Sequence, residues 1–446
     1  MYSTLRDGPP PRTPGTTPDQ ARSRRGRVGL AVGPVVFMLG MTSLLTDLST
    51  EMVTAVLPLY LVLSLGFSPL QVGVVNGLYQ GVTAVVRLAG GVASDRLERH
   101  RDIAAAGYAL SVLSRLALLV PGGSATVVSG SIVADRVGKG IRTAPRDALL
   151  SLAATDGDLG LAFGVHRAMD TFGAMLGPVA AFAVLSTVPG GYHLVFAVSA
   201  CVGVIGVAVL LSFVDRRPAS APSPRPSPTM SPAVLPAVLP AVLPAVLPAV
   251  PPKMTSRAIA TAVTDRRLRR ILVAGCAPAL ATIGDAFIYL RLQQTLEITP
   301  AMFPLLAAGT SGTYLLASVP LGRLADRIGR ARVFLGGFGA LLGVYATLLS
   351  PVRGMTALLC CLGFLGLYYA ATDGVLSALT SAALPAGART TGLALVQTGV
   401  SLGQLVASSL FGALWTIAGV ETALTAAAVL LAVTLAIAWS ALRRTT

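Results

Sequence analysis

The chain has 446 residues, of which 54% are apolar and only 12% charged, with a formal net charge of +15. Ordinary globular domains carry about 25% charged residues, so a soluble protein with a normal surface is excluded. The basic excess raises nucleic acid as a partner, and the placement of the charges decides that question.

Twelve mostly apolar runs, each long enough to cross a bilayer, fall at 30–62, 70–94, 103–121, 125–145, 160–187, 192–214, 268–292, 300–324, 332–350, 354–383, 388–416 and 421–441. In lipid every backbone polar group must be paired within its own segment, so helices are expected. The alternating ten-residue segments of a membrane barrel are not seen in the sequence. By count 29 of the 34 Lys and Arg lie toward the ends of the chain or in and beside every second connection. The connections at 66–69, 121–124 and 188–193 hold none. This is the positive-inside bias, and it puts both termini and the connection between spans six and seven in the cytoplasm. Topology and anionic headgroups account for the charge, and nucleic acid is not expected as a partner.

Residues 1–28 are rich in Pro, Thr and Arg and read as a disordered basic cytoplasmic segment. The first apolar run is far longer than the 7–15 residues of a signal-peptide core, so it reads as an uncleaved membrane helix. It carries Asp47 and Glu51, four apart and so on one face. A carboxylate at the bilayer centre costs at least about 2.5 kcal/mol, so the pair must face a cavity or a partner. We read it as proton or substrate handling; the plainer alternative is a structural bond to a neighbouring helix. Pro58 is expected to kink this helix and Pro69 to lie in a loop.

Spans two and three hold Arg87 and Arg115, cations with no acid next to them in sequence. Either is placed to neutralise Asp47 or Glu51, or to snorkel to an interface. Between these spans runs G-V-A-S-D-R-L-E-R-H-R from Gly91. A second version, G-R-L-A-D-R-I-G-R-A-R from Gly322, recurs at the same place in the apolar pattern downstream. Two related halves follow, 29–214 and 268–441, with a tail at 442–446. Asp95, Arg96, Asp326 and Arg327 are candidates for bridging helix ends as gates.

Span four runs into A-D-R-V-G-K-G-I-R-T-A-P-R-D-A-L, in which Asp135, Lys139, Arg142 and Arg146 share one helical face and Pro145 is expected to limit the helix. The pattern G-x-x-x-x-G-K-[ST] is absent, so the Gly-Lys-Gly is not a phosphate loop. Span five places His166, Arg167 and Asp170 on a common face. Gly173 and Gly177 form a small-xxx-small surface for close helix contact, and Pro178 bends the helix. His166 is either a proton-handling group or a hydrogen-bonded interfacial side chain. With three His in all and no Cys/His cluster, no metal is expected.

From 215 to 267 the composition changes to a Pro-rich segment with A-V-L-P repeats, which hydropathy alone would make a thirteenth span. A Pro every fourth residue removes helical donors, so we read a semi-rigid cytoplasmic linker. In the second half Asp285 and Asp373 are the acids expected to complement those of the first. Cys201, Cys276, Cys360 and Cys361 fall inside spans and read as packing residues.

Twelve spans in two halves, with G-x-x-x-D-R and basic residues in the 2–3 and 8–9 connections, resemble the major facilitator superfamily over about residues 30–441. Gly322, Asp326, Arg327, Gly329 and Arg330 are close to the family's loop motif; Gly91, Asp95, Arg96 and Arg99 match it, with Glu98 where Gly is usual. Gly164, Gly173, Gly177 and Pro178 resemble the antiporter motif of the drug-efflux branch, with Ala181 in place of its last Gly. Arg136 and Gly140 match that branch's R-x-x-x-G, whose Arg is linked to proton transfer, while Lys139 and Arg142 depart from it. The stretch 135–150 is also similar to a bacterial subgroup carrying G-K-G-I-R-x-A-P-R-D-A-L.

The resemblance implies an all-α membrane fold in which two pseudo-symmetric six-helix bundles rock around a central site. Midplane acids and repeat symmetry point the same way. The expected protein is a multi-pass secondary transporter of the inner (plasma) membrane, monomeric and without cofactor. It would export a small molecule in exchange for protons, with Arg136 tuning the acids. Proton-coupled uptake of a charged metabolite is the alternative, since Arg167 and Asp170 suit a charged substrate. A non-transporting sensor or assembly partner is the reading from another class. No nucleophile–base constellation is found, so an enzyme is not expected.

Overall fold

A computed structural model describes residues 33–97, 99–120, 125–153, 159–214, 266–383 and 389–443. The segment 1–28, Glu98, nearly all of the 215–267 linker and the last residues of the tail lie outside the described residues. Of Gly91 only the backbone is described, and the side chains of Arg87, Asp95 and Arg96 lie outside the described residues as well.

The apolar runs pair their backbones internally and form helices throughout. The first half holds α1 (Pro34–Leu59), continued by a π-helical turn (Tyr60–Ser64), then α2 (Pro69–Leu97), α3 (His100–Ala117), α4 (Ala125–Ala153), α5 (Leu159–Thr187) and α6 (Tyr192–Phe213). The second holds α7 (Arg266–Ala279), α8 (Asp285–Leu296), α9 (Pro304–Ile328), α10 (Arg330–Leu349), α11 (Gly354–Thr372), α12 (Val375–Ala383), α13 (Arg389–Ala418) and α14 (Val420–Arg443). The pairs α7/α8 and α11/α12 are each one interrupted span. The fold is thus twelve transmembrane helices in two pseudo-symmetric six-helix bundles. Seven of the described helices are long and apolar enough to span a membrane on length and composition alone. The other spans carry charges or amides, or are broken.

Three expectations about helix limits are corrected. Pro145 does not end α4, which runs eight residues further; a buried Pro removes one donor without ending a helix whose neighbours hold it. Pro69 is not in a loop but starts α2, where its missing N–H is no loss. Spans seven and ten are not continuous. Span seven breaks at 280–284 and span ten at Asp373–Gly374, where Gly374 takes a φ of +74°. The first break exposes backbone groups that lipid could not satisfy, and Tyr345 of α10 satisfies two of them. The Ile283 N–H donates to the Tyr345 hydroxyl at 3.0 Å, and that hydroxyl donates to the Ala281 carbonyl at 2.9 Å.

Within the first half α1 is the centre, packed on α5 and α6. A Cβ on Gly173 would lie 2.2 Å from the Leu44 carbonyl oxygen, and one on Gly177 would lie 2.6 Å from the Glu51 Cβ, so the small surface of α5 sets the α1–α5 distance. Ser49 of α1 and Ser199 of α6 exchange hydroxyl-to-carbonyl bonds at 2.5 and 2.7 Å. The two halves meet along α2–α13 and α5–α9. At the ends of α2 and α13 away from the chain termini, Gly73, Gly77 and Gly412 bring the backbones together. A Cβ on Gly73 would stand 2.4 Å from the Ser408 carbonyl oxygen, and the Leu70 N–H donates to Thr416 Oγ1 at 3.1 Å. We call this end the far side and the other the termini side.

Two substitutions test this packing. Gly173→Leu forces α5 off α1, and overpacking costs about 1–3 kcal/mol; the melting temperature in detergent should fall by several degrees. Tyr345→Phe leaves the Ile283 N–H and Ala281 carbonyl without their partner. It should cost about 1–3 kcal/mol, read as a lower melting temperature.

Candidate functional site

Two polar systems occupy the interior. The first lies inside the first half, where α4 turns a charged face toward α1, α3 and α5. Arg142 Nη2 bonds Asp47 Oδ1 at 3.3 Å, and both residues are buried. Arg115 of α3 donates to Asp135 at 3.2 Å and to Thr50 Oγ1 at 2.6 Å. Arg136 pairs with Asp135 as well, and its guanidinium stands 3.8 Å from the centre of the Tyr79 ring. Arg146 reaches Asp147 at 3.0 Å, Asp170 at 3.5 Å and Ser43 Oγ at 3.4 Å. Ser43 in turn bonds His166 Nε2 at 2.8 Å. Arg167 is 76% exposed and stands 3.8 Å from Asp170.

The pairing differs from the sequence expectation in one respect. Arg115 does not neutralise Asp47 or Glu51; it is taken by Asp135, one helix away, and Asp47 finds Arg142 instead. The four-residue face 135, 139, 142, 146 brings α4 cations to α1 at successive depths, so the nearest partner is set by depth along the two helices. An ion pair in low dielectric holds only when each charge meets its opposite at close range.

The second system is a cavity of about 330 Å³ between the halves. Glu51, Thr54 and Leu57 of α1 and Asn76, Tyr79 and Gln80 of α2 line one side. Asp285 and Tyr289 of α8, Thr310, Ser311 and Tyr314 of α9, and Tyr369 with Asp373 at the end of α11 line the other. The breaks in spans seven and ten place two of these acids, since Asp285 begins α8 and Asp373 ends α11. Tyr369 donates to Asp285 Oδ1 at 2.7 Å, Tyr289 donates to Thr310 Oγ1 at 2.9 Å, and the Thr54 and Tyr79 hydroxyls are 3.2 Å apart. Among the described residues, no Lys, Arg or His lines the cavity. The size suits a small-molecule site, for which about 300–1,000 Å³ is usual.

Asp47 is ion-paired to Arg142 of α4, while Glu51, four residues on, lines the cavity with Lys139 and Arg136 of α4 acting on it from behind. Asp285 and Asp373 join Glu51 there, from the other half. Outside both systems, Arg99 is exposed at the start of α3. Asp326 pairs with Arg330 at 3.3 Å on the termini side, Arg327 is exposed, and Gly329 turns the chain between α9 and α10 with a φ of +100°. Gly322 and Gly164 have open space where a Cβ would be, unlike Gly173 and Gly177; Pro178 is buried within α5. The tyrosines and the amides Asn76 and Gln80 were not anticipated as site residues. The readable signal was the Asn76–Gln80 spacing of four inside an apolar run, together with Gly beside Asp at 284–285 and 373–374.

The family model for the Major Facilitator Superfamily matches residues 39–290 and 271–446. An uncharacterised MFS-type transporter of Methanocaldococcus jannaschii is 27% identical over 388 residues, covering 86% of this chain and 88% of that one. An uncharacterised protein of Mycobacterium tuberculosis is 34% identical over 206 residues, 46% of this chain and 50% of that one. Among solved structures, a POT family transporter in complex with 5-aminolevulinic acid has a TM-score of 0.70 at 13% identity, covering 91% of this chain and 95% of that one. The nucleoside transporter NupG has a TM-score of 0.69 at 12% identity, covering 92% and 98%. At such identity the likeness is one of fold.

The Asp47–Arg142 pair gives a test. Breaking a buried pair by removing one partner costs about 3–5 kcal/mol, because the other charge stays buried. Arg142→Gln alone should therefore lower thermal stability more than Arg142→Gln combined with Asp47→Asn. Additive losses in a double-mutant cycle would show that the two groups do not interact.

Proposed function

Because the chain belongs to the major facilitator superfamily, we propose that this membrane transporter works by alternating access and exports a small molecule in exchange for protons. The observation that carries the proposal is the cavity between the halves, which holds Glu51, Asp285 and Asp373 with no cation among the described residues of its wall. Carboxylates in such a place are costly when ionised and unpaired, so a proton or a substrate charge relieves them. One set of acids taking either a proton or a substrate, but not both, couples the two flows as exchange.

In this reading Glu51 is the acid of the first half that exchanges protons or contacts substrate. Asp47 is held by Arg142 and supports it from behind. Arg136 acts through Tyr79, whose ring it covers, while Tyr79 also lines the cavity. The halves rock about α2–α13 and α5–α9, the far-side seal opening as the termini side closes. With the positive-inside bias, the far side is extracellular. The motifs at 91–99 and 322–330, on the termini side, gate the cytoplasmic mouth. The resemblance of Gly173, Gly177 and Pro178 to the antiporter motif favours export. Uptake by symport is the second reading, favoured by Arg167, which is 76% exposed beside Asp170 and suits a charged substrate entering with a proton.

The test is a compound-susceptibility panel in an efflux-deficient bacterial host, at matched membrane expression. Wild type should protect against some compound, a protonophore should abolish the protection, and Glu51→Gln should reduce export by about tenfold or more, or about 1.4 kcal/mol. Protection that survives the protonophore, or accumulation in place of protection, would overturn proton-coupled export.

A further inference from the structure

The charges of the two halves are not balanced in the same way. In the first half, Asp47 meets Arg142, Asp135 meets Arg115 and Arg136, and Asp170 meets Arg146. Among the described residues Glu51, Asp285 and Asp373 make no ion pair: Glu51 feels Lys139 and Arg136 of α4, and Asp373 feels Arg167, only from behind the wall, and Asp285 accepts from the Tyr369 hydroxyl. The wall therefore presents three carboxylates from three helices and, among the described residues, no cation of its own. The cations behind it are shared with Asp47, Asp135 and Asp170, so a full positive charge inside the cavity comes from what the cavity takes up.

Three features say what kind of cation. No three Asp, Glu, His or Cys among the described residues converge closely enough to hold a metal ion, so the acids surround a larger body. Four tyrosines, Tyr79, Tyr289, Tyr314 and Tyr369, stand in the wall, and aromatic faces attract cations, most strongly where water is excluded. The outer surface of Tyr79 already carries the Arg136 guanidinium, an example of the same attraction in this protein. The first-half side of the wall also carries the apolar side chains of Leu57, Leu61, Val72 and Val75. A carboxylate-bearing or neutral substrate of the same size would leave the acids unpaired and add repulsion or nothing.

We propose that the central cavity binds an organic cation, a protonated amine or quaternary ammonium on a compact apolar or aromatic body, through Glu51, Asp285 and Asp373 with the tyrosine ring faces around it. This rests on the reading of the cavity as the transport site and names its substrate class. The positive group sits among the three carboxylates, and the apolar body lies against α1 and α2. Asn76 and Gln80 supply hydrogen bonds at the α2 wall.

The experiment uses the full chain in nanodiscs and four probes of one size: benzyltrimethylammonium, phenethylammonium, benzyl alcohol and phenylacetate. Thermal stabilisation is followed up to about 10 mM, beyond millimolar affinity. The two cations should stabilise the wild type saturably and the other two should not. Asp373→Asn and, separately, Glu51→Gln should weaken the cations by about tenfold or more, two variants so that a folding defect in one does not decide the matter. Equal stabilisation by the alcohol or the acid, no stabilisation by either cation, or cation binding unchanged in both variants would overturn the proposal. Flux in proteoliposomes under a pH gradient separates it from the transport reading. A cation that binds but is not exchanged for protons removes the antiport and keeps the site. Movement of an anionic or neutral compound in place of cations keeps the transporter and removes the substrate class.

Discussion

A charge inside a membrane must meet an opposite charge or a water-filled space, and this protein meets that demand in two ways. On the α1–α4 side of the first half, the chain supplies its own cations. Asp135, Lys139, Arg142 and Arg146 form one face of α4, and the acids of α1 and α5 meet that face at successive depths. On the other side of α1, the same demand is left open. Glu51 lines the cavity while the charges of Lys139 and Arg136 on α4 still act on it, and the second half adds Asp285 and Asp373 with no Arg or Lys among the described residues of the wall. The first arrangement makes a rigid half; the second makes a site whose state depends on what occupies it.

The breaks in spans seven and ten belong to the same account. A continuous helix would bury its backbone and leave its side chains at fixed angles. Breaking span seven before Asp285 and span ten after Asp373 puts both acids at helix ends, where the chain turns into the cavity. Each break frees backbone groups that lipid cannot satisfy. Tyr345 meets two of them in span seven, from a third helix that packs behind it. The break is therefore held from inside the half, and one part of the contact between the halves is made through small residues. Gly73, Gly77 and Gly412 let α2 and α13 close on the far side with backbone against backbone. Contacts of this kind carry few long side chains that would have to be untangled as the seal opens.

Much of this was legible in the sequence. The repeated loop motif gave two halves, the apolar runs gave twelve spans, and the i, i+4, i+7, i+11 spacing of 135, 139, 142 and 146 gave the charged face of α4. Asp47, Glu51, Asp285 and Asp373 stood out because an acid in an apolar run is costly wherever it lies. What stayed hidden depends on depth and on contacts between helices distant in sequence. Spacing along one helix does not say that Arg115 meets Asp135 while Asp47 meets Arg142. Nor does it say that Asp47 is ion-paired to α4 while Glu51, under the influence of the same Lys139, also lines the cavity. A Tyr in an apolar run reads as an ordinary packing residue, so sequence does not single out the four tyrosines. A Gly beside an Asp is a weak signal inside a long hydrophobic stretch, so the breaks do not stand out either.

The central claim is that the charge of the cavity biases which side of the molecule is closed. Spin labels at Gln71 and Ile417, both exposed beside the α2–α13 seal, report the far side directly by pulsed dipolar spectroscopy. The labels go on a chain whose four native cysteines are replaced by serine. The account predicts a short and a longer distance, whose proportions change when Glu51→Gln, Asp285→Asn and Asp373→Asn are combined to neutralise the cavity. A single short distance, the same with the acids present and neutralised, would contradict it.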